Sequence, residues 1–203
     1  GRAGITASAM SEILLVRHGE ALWNAEGRYQ GRLDSPLTDR GIAQATAIGD
    51  HLASMNIRPA KIVASPLGRT RQTAAILVDR SGLQSPVYDG RLAEVSMGSW
   101  DGLTQFEIDM EWPGMLEGSS AFDWYFRSPD GESYAAALQR VRDWLDEIEG
   151  KVIAVSHGLI GRIIRGAYLD LSIEEALMLP VPQDVIWRLS DGMVEPIHAA
   201  PAR

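Results

Sequence analysis

Three short, almost wholly apolar runs punctuate this chain: ILLV at Ile13–Val16, KIVA at Lys61–Ala64 and VIAV at Val152–Val155. Runs of this length without alternation suit strands buried on both faces. Each is followed by residues with a helical spacing of apolar positions. Buried strands alternating with amphipathic helices require a parallel or mixed sheet covered on both sides. The predicted class is therefore α/β: a three-layer α/β/α sandwich with a mostly parallel sheet.

The helices are placed by their punctuation. Thr38 is a good N-cap for a helix from Asp39 to about Met55, with a buried face at Ile42, Ala45, Ile48 or Gly49, and Leu52. Pro66 suits the first turn of a helix through about Val78. Val87–Tyr88 reads as a short strand before the Asp89–Gly90 turn. Tyr134, Leu138, Val141, Leu145 and Ile148 space a helix from about Glu132 to Glu149, stopped by Gly150. Leu159–Ala167 reads as a helix. Val185–Leu189 and Met193–Ile197 read as a hairpin about Asp191–Gly192, at a sheet edge.

Residues 103–131 break this rhythm with Pro113, Gly114, Gly118, Pro129 and Gly131. They are expected to be irregular. Residues 1–10 are expected to be a disordered lead or an expression remnant, with Met10 as the native start and no signal-peptide apolar core. Residues 11–203 are expected to form one domain, with 103–131 a lid-like insertion.

Composition excludes more than it selects. The 203 residues carry a formal net charge of −8, which argues against a nucleic-acid backbone or an anionic membrane surface as partner. No apolar run is long enough to span a bilayer. With no export signal, the expected location is cytoplasmic. The absence of cysteine excludes disulfides and thiolate metal sites. Oligomeric state is not legible.

The polar residues cluster where the strands end. In open α/β sheets, ligands bind beyond the carboxyl ends of the strands. The first run ends in Arg17-His18-Gly19, the second in Ser65-Pro66 with Arg69 one helical turn on, the third in Ser156-His157-Gly158. Two histidines thus occupy one relative place, each followed by a glycine such as Gly158 that lets backbone approach a ligand. His51 and His198 have no such company and read as structural.

Guanidinium forks match phosphate oxygens, and a neutral imidazole is a good nucleophile near pH 7. His18 attacking phosphorus, with His157 and the arginines holding the oxygens that gather charge, makes a coherent site. A leaving alkoxide then needs a carboxylic acid nearby. This chemistry requires no metal and no cofactor. No His-Glu-x-x-His, P-loop or G-x-S-x-G pattern offers a rival.

These residues resemble the histidine phosphatase superfamily, also called phosphoglycerate mutase-like. RHGE at Arg17–Glu20 resembles its signature. WNAEGRYQGRLDSPLTDRG at Trp23–Gly41, SPLGRTRQTA at Ser65–Ala74, LAEVSMGSWDG at Leu92–Gly102 and SHG at Ser156–Gly158 are similar to its further motifs, in the same order. The resemblance implies that His18 is the phosphorylated nucleophile. It implies that Arg17, Arg69 and His157 line the phosphate pocket with Asn24, and that Glu94 is the general acid. Gln30 and Gly31 match the segment that contacts substrate above the phosphate. Trp100 is expected to pack in the core.

The superfamily contains mutases and phosphatases. Leu159 stands where phosphoglycerate mutases have Asn, and their long insertion with adjacent arginines is missing. The expected function is a metal-independent phosphomonoesterase acting on a small-molecule phosphomonoester. The alternatives are a phosphoglycerate mutase or a catalytically weak phosphoester-binding module. Residues 103–131 hold Phe106, Trp112, Phe122, Trp124, Tyr125 and Phe126 but one cation, Arg127. They either fill a small core or shape a pocket for an apolar or sugar-like body, and they suit a multiply anionic substrate poorly.

Overall fold

The computed structural model describes residues 11–58 and 60–199; the lead expected over residues 1–10 lies outside the described residues. In chain order the elements are β1 (Glu12–Arg17), α1 (Leu22–Ala25), α2 (Asp39–Ser54), β2 (Lys61–Ala64), α3 (Gly68–Ser81) and β3 (Val87–Tyr88). There follow α4 (Gln105–Glu111), α5 (Tyr134–Asp146), β4 (Lys151–Ser156), α6 (Gly158–Tyr168), α7 (Ile173–Leu177), β5 (Val185–Ser190) and β6 (Met193–His198). The six strands form one sheet in the order β3-β2-β4-β1-β5-β6. β1, β2, β3 and β4 are mutually parallel, and the β5–β6 hairpin adds to β1 in antiparallel sense.

Alternate side chains of the central strands feed two separate cores. Ile13 and Leu15 of β1 join Val152 and Ala154 of β4 beneath α5 and α6. Leu14 and Val16 join Ile153 and Val155 beneath α2 and α3 on the opposite face. Fully burying each of the Val, Leu and Ile side chains contributes about 1.5–3 kcal/mol. That gain from both faces anchors β1 and lets its last residue carry a desolvated guanidinium. The three-layer α/β/α sandwich with a mostly parallel sheet is the observed architecture.

Several boundaries differ from the sequence-based expectation, each for a local reason. On α2 the buried face includes Gly41 and Gln44, whereas Ile42 is exposed. The helix meets the loop after β1 at Gly41, where a Cβ would lie 2.0 Å from the Glu20 carbonyl oxygen. α3 starts at Gly68, after Pro66, because the distant Asp34 carboxylate caps it by accepting from the amides of Gly68 and Arg69. α5 starts at Tyr134 because Ser133 caps it; Glu132 turns instead to Arg140, 2.8 Å away.

Residues 103–131 are not wholly irregular. Thr104 and Glu107 form a capping box that starts α4. Trp100 is fully buried, as expected, with Met97, Ile108 and Trp124 in a third small core. The six aromatics divide: Trp124 and Trp112 fill that core, Phe126 packs on the main core, and Phe106 and Phe122 are exposed. Tyr125 is the one that reaches the pocket described next.

Candidate active site

β1 and β4 lie in register with Arg17 opposite Ser156. The residues that follow, His18 and His157, therefore emerge together at the carboxyl edge of the sheet. Their ring centroids are 5.3 Å apart. The His18 amide donates to the Ser156 carbonyl at 3.0 Å, and the Ser65 amide to that of Val155 at 2.9 Å. The ends of β1, β4 and β2 are thus stitched into one floor.

His18 is buried, and its Nδ1 lies 2.7 Å from the Gly19 carbonyl oxygen. A carbonyl can only accept, so Nδ1 carries the proton and Nε2 presents a lone pair. Burial pushes the His18 pKa well below the usual histidine value, and the charges of Arg17 and Arg69 push the same way. His157 is displaced downward as well, by burial first and then by Arg69 and His18. The His157 Nε2 lies 2.7 Å from the Ser65 hydroxyl. That hydroxyl also accepts from the Leu67 amide at 3.4 Å. The His157 Nδ1 is buried with no hydrogen-bond partner among the described residues. His157 does not itself line the pocket; Gly158, next in sequence, does.

Both arginines are held from behind. Arg69 is 1% exposed and donates from Nη1 to the Leu33 carbonyl at 2.6 Å and to Asp34 at 3.0 Å, and from Nη2 to the Gly31 carbonyl at 2.8 Å. Of its five N–H groups, Nε–H and one on Nη2 remain. Arg17 donates from Nη1 to the Val181 carbonyl at 2.5 Å. Its pKa is lowered to about 10 by burial, which still leaves it charged at neutral pH. The Nε–H groups of both arginines are buried without a partner among the described residues. Buried donors of this kind are costly unless something accepts from them. Gly158 makes room for the Arg17 fork: a Cβ there would lie 3.1 Å from Nε.

The remaining expected residues converge on the same place. A pocket of 390 Å³ is lined by Arg17, His18, Asn24, Gln30, Gly31, Arg69, Glu94 and Gly158 among others. Asn24 accepts from the Ala21 amide at 2.9 Å through Oδ1, which leaves its NH2 to offer to the pocket. Gln30 accepts from the Ser35 hydroxyl at 2.8 Å, with the same consequence. Gly31 has a φ of +52° and anchors Arg69 through its carbonyl. Glu94 accepts from the amides of Val95, Leu159 and Ile160 at 2.9, 3.1 and 2.9 Å. It therefore sits at the N-terminus of α6, where a carboxylate is favoured.

Sequence reasoning missed four residues that matter here. Arg162 lines the pocket and donates from Nε to the Leu179 carbonyl at 2.7 Å, with no carboxylate partner among the described residues. Its spacing of four from Gly158 on one helix was the available signal. Asp34, Asp101 and Gln183 act across long stretches of chain and carried no local signal. Asp101 accepts from the Met97 amide at 2.8 Å and occupies the space beside Gly31.

What the fold and pocket define together is an α/β protein with a cationic pocket at the carboxyl end of its sheet. Residues 13–190 match the histidine phosphatase superfamily (branch 1), and the chain belongs to that superfamily. It is 37% identical over 174 residues to a protein of Erwinia tasmaniensis named probable phosphoglycerate mutase GpmB, covering 80% of this chain and 76% of that one. It is 40% identical over 160 residues to the Yersinia pestis protein of the same name, covering 74% and 71%. Among solved structures it resembles Bacillus stearothermophilus YhfR, with a TM-score of 0.76 at 28% identity over 95% of this chain and 98% of that one. It also resembles a mycobacterial glucosyl-3-phosphoglycerate phosphatase complexed with VO3, with a TM-score of 0.74 at 28% identity over 93% and 99%. Among the described residues no helix is long and apolar enough to cross a membrane.

Proposed function

We propose that this chain is a metal-independent phosphomonoesterase that hydrolyses a small phosphate ester through a phosphohistidine. The observation that carries the reading is the state of His18. It is a neutral imidazole with Nδ1–H committed to the Gly19 carbonyl, its Nε2 free, and two guanidiniums beside it with unpaired buried N–H groups.

The Nε2 lone pair attacks phosphorus, the P–N bond forms, and the P–O ester bond breaks. The positive charge that grows on the ring is met by the Gly19 carbonyl. Arg17, Arg69 and the Asn24 NH2 hold the equatorial oxygens, where charge spreads in the transition state. His157 packs edge-on against His18 and helps hold the nucleophile's ring in place. Glu94 gives its proton to the leaving alkoxide. It then takes a proton from water, whose oxygen attacks phosphorus as the P–N bond breaks, and phosphate leaves. Three backbone N–H bonds use three of the about four acceptor positions on the Glu94 carboxylate, so one is left for that proton.

Phosphoglycerate mutase is the second reading, and Arg162 is the observation that favours it. The expected shortage of cations counted only residues 103–131; Arg162 enters the pocket from α6. A guanidinium there with no carboxylate partner among the described residues gives a carboxylate or second phosphate a holder. The curated relatives named above carry a mutase name.

One experiment separates the readings. The protein is loaded with labelled phosphoryl group from a monoester, then chased with 3-phosphoglycerate in water. Label released as inorganic phosphate, and none released by His18→Ala, supports the phosphatase. Label recovered in phosphoglycerate supports the mutase. Strong inhibition by EDTA, reversed by one divalent metal, overturns both.

A further inference from the structure

The segment after α7 reads Leu179-Pro180-Val181-Pro182-Gln183. Two of its five residues lack an N–H, and it belongs to no helix or strand. Its carbonyls are nonetheless fully engaged at three successive residues. Arg162 donates to Leu179 at 2.7 Å, Arg165 to Pro180 at 2.6 Å and Arg17 to Val181 at 2.5 Å. Two restricted prolines and three guanidiniums hold this piece of backbone in place. Two of those arginines also line the pocket, so the segment is part of its wall.

Gln183 is the side chain that this wall presents. Its Nε2 donates to the His18 carbonyl at 3.2 Å and to the Asn24 Oδ1 at 3.4 Å. The second contact bears on chemistry. A primary amide fits its site nearly as well when turned by half a revolution, which exchanges oxygen for NH2. Turned the wrong way, Asn24 would set a carbonyl dipole against phosphoryl oxygens. The Ala21 amide and Gln183 Nε2 both require an oxygen at Oδ1, and so both turn the NH2 the other way.

We propose that Gln183 is a positioning residue for phosphoryl transfer. It fixes the Asn24 amide with its donors toward the phosphoryl group. The proposal rests on the reading of the pocket as a phosphoryl-transfer site. Gln183 lines the pocket, and its amide is spent on Asn24 and the His18 carbonyl. It acts through Asn24, and that makes its contribution conditional on Asn24 being present.

A double-mutant cycle tests this conditionality. Gln183→Leu, Asn24→Ala and the double variant are compared in kcat and KM on p-nitrophenyl phosphate, with His18→Ala as blank. Gln183→Leu is expected to lower kcat about tenfold with little change in KM, since a mis-set donor is felt most in the transition state. In the Asn24→Ala background the same change is expected to cost less than about twofold. An undiminished loss in that background means that Gln183 acts independently of Asn24, and overturns the proposal. Gln183→Glu keeps the shape but offers only acceptors, and is expected to lose at least as much; wild-type activity in that variant also overturns it. Should Gln183→Leu fail to fold, Gln183→Glu carries the cycle alone. Absence of His18-dependent turnover in the wild type would sink the phosphatase reading instead. The cycle is then read in the affinity for orthovanadate, where coupling between positions 24 and 183 is still expected and additivity still overturns the proposal.

Discussion

His18 and His157 meet ring to ring at 5.3 Å because the residues before them, Arg17 and Ser156, are register partners on adjacent parallel strands. Sheet pairing, rather than loop conformation, sets that distance. The same pairing buries both rings against two guanidiniums. A proton on either imidazole would be a third charge in a desolvated cluster, so both rings are held neutral.

That neutrality has a pH signature. Both folded values lie below the ordinary histidine value of 6.5. Between the lowered values and 6.5 the unfolded chain binds more protons than the folded one. Stability from this source is therefore complete above about pH 6.5 and is lost as pH falls through the folded values. Urea unfolding midpoints are expected to drop between pH 7 and pH 5, and to drop less in His157→Gln. An identical slope in that variant would show that His157 is not one of the groups responsible. In the folded protein, the ring resonances of His18 and His157 are expected not to titrate near pH 6.5.

Glu94 caps α6 and, in the proposed mechanism, serves as the general acid; substitution separates the two roles. Glu94→Gln presents one acceptor oxygen where three backbone N–H groups now bond. Leaving one buried donor unsatisfied costs about 1–3 kcal/mol of stability. The catalytic loss depends on the leaving group. For an alkyl phosphate, kcat is expected to fall about 10²- to 10⁴-fold. For p-nitrophenyl phosphate, whose leaving group needs little protonation, the fall is expected to be much smaller. Equal losses on the two substrates would remove Glu94 from the acid role and leave it as a helix cap.

The parts of this molecule that local pattern encodes were readable in advance. ILLV, KIVA and VIAV are apolar throughout their buried lengths, so the sheet and the His-Gly ends of β1 and β4 followed from them. The capping boxes at Thr104–Glu107 and Ser172–Glu175 mark α4 and α7 with the same S/T-x-x-E pattern, a signal outweighed in the sequence reading by the glycines and prolines of 103–131 and not drawn on for α7. Other residues are invisible to such reasoning. Asp34 caps α3 and pairs with Arg69 across 35 residues, and Gln183 reaches His18 across 165. Each looks like an ordinary loop residue until the fold closes. Glu94, Asn24, Gln30 and Gly31 came from family resemblance, because their spacing alone signals nothing.

Gly31 is a position where no side chain fits. A Cβ there would lie 1.8 Å from Asp101 Oδ1, on a backbone already at φ +52°. Asp101 cannot give way easily, since it also accepts from the Met97 amide at 2.8 Å and the Arg32 amide at 3.2 Å. In Gly31→Ala the loop must move instead, and the Gly31 carbonyl leaves Arg69. A loss of about 1–3 kcal/mol is expected in stability. Inorganic phosphate should also weaken as a competitive inhibitor. A lowered melting temperature with unchanged phosphate inhibition would mean that the loop moved without disturbing Arg69.

Arg69 is the position where charge and shape can be told apart. Three of its N–H groups are spent on Leu33, Asp34 and Gly31, and two are left for a ligand. A lysine keeps the charge but brings three N–H groups on one nitrogen, too few to hold the loop and a bidentate anion together. Arg69→Lys is expected to lower kcat/KM by about 10²-fold or more, the scale of a lost transition-state donor. Arg80→Lys, on the exposed pair with Asp50, is the control and should leave turnover as it is. A loss of less than about threefold in Arg69→Lys would mean that a point charge suffices. The elaborate seating of this guanidinium by residues 31–34 would then serve the fold of that loop rather than the geometry of the anion.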